Sequence, residues 1–170
     1  MQQQFEFIKE SPEGLQLEFT GQIKKVGKAI LHEVRFVGGW TPYYKGEVWV
    51  FGDSETGDEP DLTEVKYGVI RNYIEVLGSV FYRIIALRKF SLKSPRNSRN
   101  LGQYHYVDIG NIGGQIQGEW NLSQQGNCWI GYDATVCENV HIGGNIWIHG
   151  SKCISNTTRR YKKLSSQLTQ

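Results

Sequence analysis

The sequence predicts a mainly β protein: a small N-terminal antiparallel β region over residues 1–100, then a short hexapeptide-type β-solenoid over residues 101–170, capped by a C-terminal helix. Three observations lead there. One apolar residue recurs every six positions through Ile130, Val136, Ile142, Ile148 and Ile154, and Ala134, Val140 and Ile146 form a second row beside it that Lys152 breaks. Six is not a helical period, but it suits short strands joined by tight corners. Residues that favour turns share one phase of the same count, namely Asp133, Asn139, Asn145, Ser151 and Thr157, with Gly131, Gly143, Gly144 and Gly150 close by. Upstream, apolar and polar residues alternate in runs punctuated by glycine, as half-buried strands do.

A three-sided coil of eighteen residues would place Trp129 under Trp147, Thr135 under Cys153 and Gly131 under His149. So short a stack cannot bury its own ends, so part of the remaining chain should act as a cap. Tyr161, Leu164 and Leu168 have helical spacing and predict that cap at the C-terminal end.

At 170 residues, with 39% hydrophobic residues, 20 glycines and 4 prolines, the chain can form a folded β-rich protein. A formal charge of +2 gives no global attraction to nucleic acid. No apolar run is long enough for a membrane span, and Gln2, Gln3 and Gln4 do not open a signal peptide, so the expected location is the cytoplasm. Cys128, Cys137 and Cys153 have no zinc or redox spacing and read as small packing residues.

In chain order, Phe5 to Val37 reads as strands, with Gly27 turning Ile23 to Val26 back into Ala29 to Val37. Gly38, Gly39 and Pro42 mark a loop. The run Val48 to Phe51 lacks alternation, which predicts an inner strand buried on both faces. Gly52 to Glu64 carries six acids and no base, yet lacks the ligand order of a calcium loop, and reads as a solvated hairpin loop without a metal. Ile23 to Val34 can be laid over Ile74 to Ile85 without a gap, glycine on glycine, which suggests a duplicated hairpin. A basic loop follows, with Arg88, Lys89, Lys93, Arg96 and Arg99, which could touch phosphate or an acidic protein; it has no base-stacking aromatics, which argues against nucleic acid. Tyr104 to Val107 restarts β structure, and Asn121 to Asn127, anchored by Leu122, reads as a loop leaving a first coil.

From Tyr82 to Asn156 the chain resembles a group of uncharacterised proteins common in bacteriophages and prophages. The likeness rests on the strand Tyr82 to Phe90, the step Ile112-Gly113-Gly114, the run Asn121-Leu122-Ser123-Gln124-Gln125-Gly126-Asn127-Cys128-Trp129-Ile130, and the hexads after it. Glu18-Phe19-Thr20-Gly21 with Gly27 and Leu31-His32 is similar to a second copy of the group's start. This chain departs from the group in having few hexads and a long loop before the Gly-Gly step. The resemblance implies a fold and a phage origin but no reaction.

Two function classes follow. The first is a non-enzymatic protein-binding module without a cofactor, presenting Trp129, Trp147, His141, His149 and Tyr132 on a rigid face to a host protein or protein complex, such as a bacterial defence system. Self-association is compatible with it. The second is a hexapeptide-repeat acyltransferase using acetyl-CoA, with His141 or His149 as base and Glu138 as the nearest acid. Serine, cysteine and phosphate-loop chemistry find no motif.

Overall fold

A computed structural model describes residues 16–37, 42–70, 74–76, 78–93 and 104–156. Among them the protein is mainly β, and one mixed sheet runs through most of it. The expected cap around Tyr161 to Leu168 and the strand at Phe5 lie outside the described residues. No described helix is long and apolar enough to cross a membrane.

The sheet begins with β1 (Gln16–Val26) and β2 (Ala29–Val37), a hairpin closed by the pair Val26↔Ala29, with Gly27 at φ 60° supplying the left-handed turn. β3 (Val48–Phe51) lies between β2 and β4 (Tyr67–Ile70), and all four of its residues are buried, as the unbroken apolar run predicts. The acid-rich segment is the loop from β3 to β4, with one 3-10 turn at Leu62–Glu64 that Asp61 caps. β5 (Ile74–Val76) and β6 (Ser79–Ala86) make a second glycine hairpin, with Gly78 at φ 79°. The two hairpins close differently, with Val26↔Ala29 in one and Val76↔Ser79 in the other, so overlaying Gly27 on Gly78 leaves the closing pairs one residue out of step. They share the sheet but are not neighbours, because β3 and β4 stand between them.

β7 (Phe90–Lys93) and β8 (Tyr104–Val107) pair separately as an antiparallel ribbon. The chain then returns as β9 (Ile112–Ile116), antiparallel to β6, with Tyr82↔Ile116 and Ile85↔Ile112 as register points and an irregularity between them. The extra residue falls at Gly113 and Gly114. A Cβ on Gly114 would strike the carbonyls of Ala134 and Gly131 and the Ile130 side chain, and one on Gly113 would strike Ile84 and Trp129. This bulge bends the strand where the antiparallel sheet meets the C-terminal third, and only glycine fits the close approach.

From there all pairing is parallel. β9 pairs with β11 (Thr135–Val136), and β11 with β13 (Cys153–Ile154), so the sheet continues unbroken from the N-terminal strands into the hexad region. β10 (Trp129–Ile130) pairs with β12 (Trp147–Ile148), and Leu122 bridges Ile142. Trp129 over Trp147 and Thr135 over Cys153 are in the register that an eighteen-residue coil predicts. Ile130, Val136, Ile142, Ile148 and Ile154 are all buried, and the same interior row extends back through Leu122 to Ile116. Each such side chain removed from water contributes roughly 2 kcal/mol.

The run Asn121 to Trp129 is the joint between the sheet and these ladders. Asn121 is buried, accepts from the Gln117 and Gly118 N–H groups through Oδ1, and donates through Nδ2 to the Val140 carbonyl at 2.7 Å. The Gln124 amide accepts from the N–H groups of Lys66 and Tyr67 and donates to the Tyr67 carbonyl, completing the start of β4. Tyr67 donates its hydroxyl proton to the Leu122 carbonyl at 2.6 Å. Lys66 is fully buried, its Nζ 2.6 Å from the Cys128 carbonyl and 3.1 Å from Cys128 Sγ, beneath the Phe90 ring. Burial lowers the Lys66 pKa, with the Arg88 charge adding to the effect and Cys128 opposing it.

Candidate functional site

An apolar cleft of about 430 Å³ opens where four segments of the chain meet. The tip of the β1–β2 hairpin supplies Val26, Ala29 and Ile30; the end of β3 and the loop after it supply Phe51, Asp53 and Glu55; the β5–β6 hairpin supplies Val80 and Tyr82; and the bend before Asn121 supplies Glu119 and Trp120. The strand order brings these distant residues to one end of the sheet.

Its walls are held by hydrogen bonds that each segment makes to its neighbour. The Gly52 N–H donates to the Ile30 carbonyl at 2.8 Å, and His32 Nε2 donates to the Gly57 carbonyl at 2.7 Å, which docks the acidic loop on β2. Asp53 Oδ1 accepts from the N–H groups of Glu55 and Thr56, and those bonds hold its carboxyl below the usual carboxylate range. Phe51 and Tyr82 meet edge to face with ring centroids 5.4 Å apart, and the Tyr82 hydroxyl donates to the Val26 carbonyl.

Trp120 forms the rim. Its ring is 55% exposed, yet Nε1 donates to the Glu138 carbonyl at 2.6 Å, so the indole is fixed before any ligand arrives. Glu138 itself takes φ 56°, a left-handed corner, and its N–H is met by Gln117 Oε1. Beside Trp120 sits Glu119. Burial raises its carboxyl pKa, the Asp53 charge adds to that, and the Gln124 amide, donating to Oε2 at 3.2 Å, opposes it. Three acids and one base, Lys28, therefore surround an apolar floor.

The residues singled out from the sequence fall elsewhere. Trp129 is 4% exposed and packs against Phe90, 5.4 Å between centroids, so the expectation that it presents an outward surface is corrected: the β7–β8 ribbon lies over that side. Trp147 is half-buried and stacks on His105 at 4.3 Å, with exposed His149 at 5.1 Å on its ring. Tyr132 is exposed, with the Arg83 guanidinium 4.0 Å over its ring. His141 is exposed and donates from Nδ1 to the Trp120 carbonyl at 2.7 Å, so a main-chain oxygen and not a carboxylate orients it. The structure brings Trp147 and His149 together, while Tyr132 meets Arg83 and His141 meets the Trp120 carbonyl.

The basic loop is also revised, because its first half contains a strand: Phe90–Lys93 is β7. Arg88 is half-buried and donates to the Gln124 carbonyl, and Lys89 is exposed. Arg96 and Arg99 lie outside the described residues, as does the side chain of Lys93. Among the described residues no cluster of His, Cys, Asp or Glu is arranged for a metal ion. Sequence reasoning missed Trp120, Glu119 and the cleft itself; the only signal was an acid next to a tryptophan at the start of the joint motif. Compared with protein-family models, curated proteins and solved structures, the chain matches none of them.

Proposed function

We propose that this chain is a non-enzymatic protein-binding module, a phage or prophage product that works in the bacterial cytoplasm on a host protein or complex such as a defence system. In this reading the C-terminal third is a short hexapeptide-type β-solenoid that serves as scaffold. Parallel ladders with Trp129↔Trp147, Thr135↔Cys153 and Leu122↔Ile142 in register, around one interior row of apolar residues, support that description.

The observation that carries the binding reading is the cleft beside Trp120. A half-exposed indole, already fixed by its own hydrogen bond at the edge of an apolar trough, has the character of an interface anchor, because little conformational entropy remains to be lost on contact. The acetyl-CoA alternative calls for a histidine that a carboxylate orients toward substrate, and the geometry of His141 supplies a carbonyl in that place.

The test is capture of partners by the tagged protein from lysate of a susceptible bacterium, beside the Trp120→Ala variant. A defined host complex retained by the wild type and released by the variant is the expected result. No retained complex, together with acetyl-CoA turnover that His141→Ala abolishes, would replace this reading by the enzymatic one.

A further inference from the structure

We infer that the cleft is a receptor for a lysine side chain of the partner polypeptide, with the ammonium group seated at Glu119; this rests on the protein-binding reading above. Shape gives the first reason. The lining residues Val26, Ala29, Ile30, Phe51 and Val80 offer carbon contacts for a straight four-carbon stem, and the Trp120 indole lines the same cleft. About 430 Å³ is room for such a chain and not for a folded element.

Charge gives the second. Glu119 lines the cleft in a partly buried position, and among the described residues its carboxylate accepts from the neutral amide of Gln124 at 3.2 Å. A carboxylate removed from water and met by one neutral donor is costly to keep ionised, and an arriving cation relieves that cost. Asp53 and Glu55 line the same cleft and add to the attraction, while Lys28 opposes it from the hairpin tip.

The pattern of occupied oxygens chooses between the two long basic side chains. Arginine binds carboxylates best through two parallel hydrogen bonds, which need both oxygens of one carboxylate. Glu119 Oε2 already accepts from Gln124, and Asp53 Oδ1 already accepts from two backbone N–H groups. A fork would therefore have to share Oε2 of Glu119 with Gln124, and Oδ1 of Asp53 with two N–H groups. An ammonium carries three donors around a point charge and needs only single oxygens.

The experiment is an NMR titration of the full chain with Nα-acetyl-lysine N-methylamide, in parallel with the arginine and norleucine analogues and with n-butylamine. Saturable shifts are expected at Gly27, Gly78, the Glu119 amide and the Trp120 indole with the lysine analogue, and at least tenfold weaker binding in Glu119→Gln. Lys28→Ala should bind more tightly, and Tyr43→Ser, altering a fully exposed residue away from the cleft, should bind as the wild type does. Glu119→Gln has to show a native spectrum and melting curve for its loss to count. Norleucine binding as tightly as lysine, arginine binding more tightly, or no saturable shift at the cleft would each overturn the assignment. Butylamine binding as tightly as the lysine analogue would overturn the polypeptide occupant in favour of free amines. Lysine binding that survives while lysate capture yields no host protein would count against the host-complex reading alone.

Discussion

The two ends of the nine-stranded sheet hold their register by opposite means. In the antiparallel part the pairs β1–β2 and β5–β6 are hairpins whose register is set locally by turns at Gly27 and Gly78. From β10 to β13 the strands are two residues long, and Trp129↔Trp147 and Thr135↔Cys153 pair in parallel across the same spacing in the chain. The antiparallel end therefore tolerates local error, and the parallel end does not. Gly27 at the first end answers a backbone angle, and Gly114 at the second answers a lack of space.

Trp129→Ala should give the largest effect, about 4 kcal/mol, because it empties a filled position under the β7–β8 ribbon. Trp147→Ala, half-exposed in the next rung, should cost about half as much; urea unfolding followed by circular dichroism would read both. Equal losses would mean that the two tryptophans share one environment after all.

Gly114→Ala should cost about 3 kcal/mol by forcing a methyl group against two carbonyls. Gly27→Ala meets open space and should cost only about 1 kcal/mol, through its positive φ. Thermal melting of the pair would show whether space or angle is the stricter demand.

Lys66→Met tests the joint between the ends, and about 2 kcal/mol should be lost as the Cys128 and Gly126 carbonyls give up their donor. The difference from wild type should change with pH. Burial puts the folded pKa of Lys66 below its ordinary 10.5, so between those values the unfolded chain holds the extra proton and wild-type stability rises with pH. That contribution is complete above 10.5 and is lost as pH falls through the folded pKa. Tyr67, whose pKa burial raises, has the opposite sign above about 10 and is common to both proteins. Unfolding curves at a series of alkaline pH values should show the gap widening; a constant gap would mean that Lys66 titrates as it does in water.

The smallest effect is chemical. Burial, with Cys153 and Glu138 nearby, pushes the Cys137 thiol up to about 11, so it remains protonated at pH 8. Iodoacetamide should label the exposed Cys153 well before Cys137, as peptide mass spectrometry would show; simultaneous labelling would mean that this end of the stack opens readily.

The hexad row could be read in the sequence because each rung spends one residue on the interior, so the period survives without an alignment. It faded upstream for a physical reason: Leu122 and Ile130 are eight positions apart, and the additional residues carry the chain around the Lys66 ammonium. The inner strand Val48 to Phe51 was legible from its lack of alternation. The exposure of Trp129 was not, since what covers it is a ribbon whose Phe90 has no local relation to it. The cleft was hidden for a similar reason, as residues near positions 28, 53, 80 and 119 meet only through the order of strands. The joint motif stood out as specific, and its side chains are spent on tying sheet to ladders.

The buried lysine has a consequence for the order in which the chain is made. Ribosomes deliver the N-terminal strands first, so a face formed early would wait in water for Cys128 and the Phe90 ring. A leucine at position 66 would leave a sticky patch through that interval. A hydrated ammonium at that position would keep an unfinished sheet soluble until the Gly126 and Cys128 carbonyls arrive to accept its hydrogen bonds.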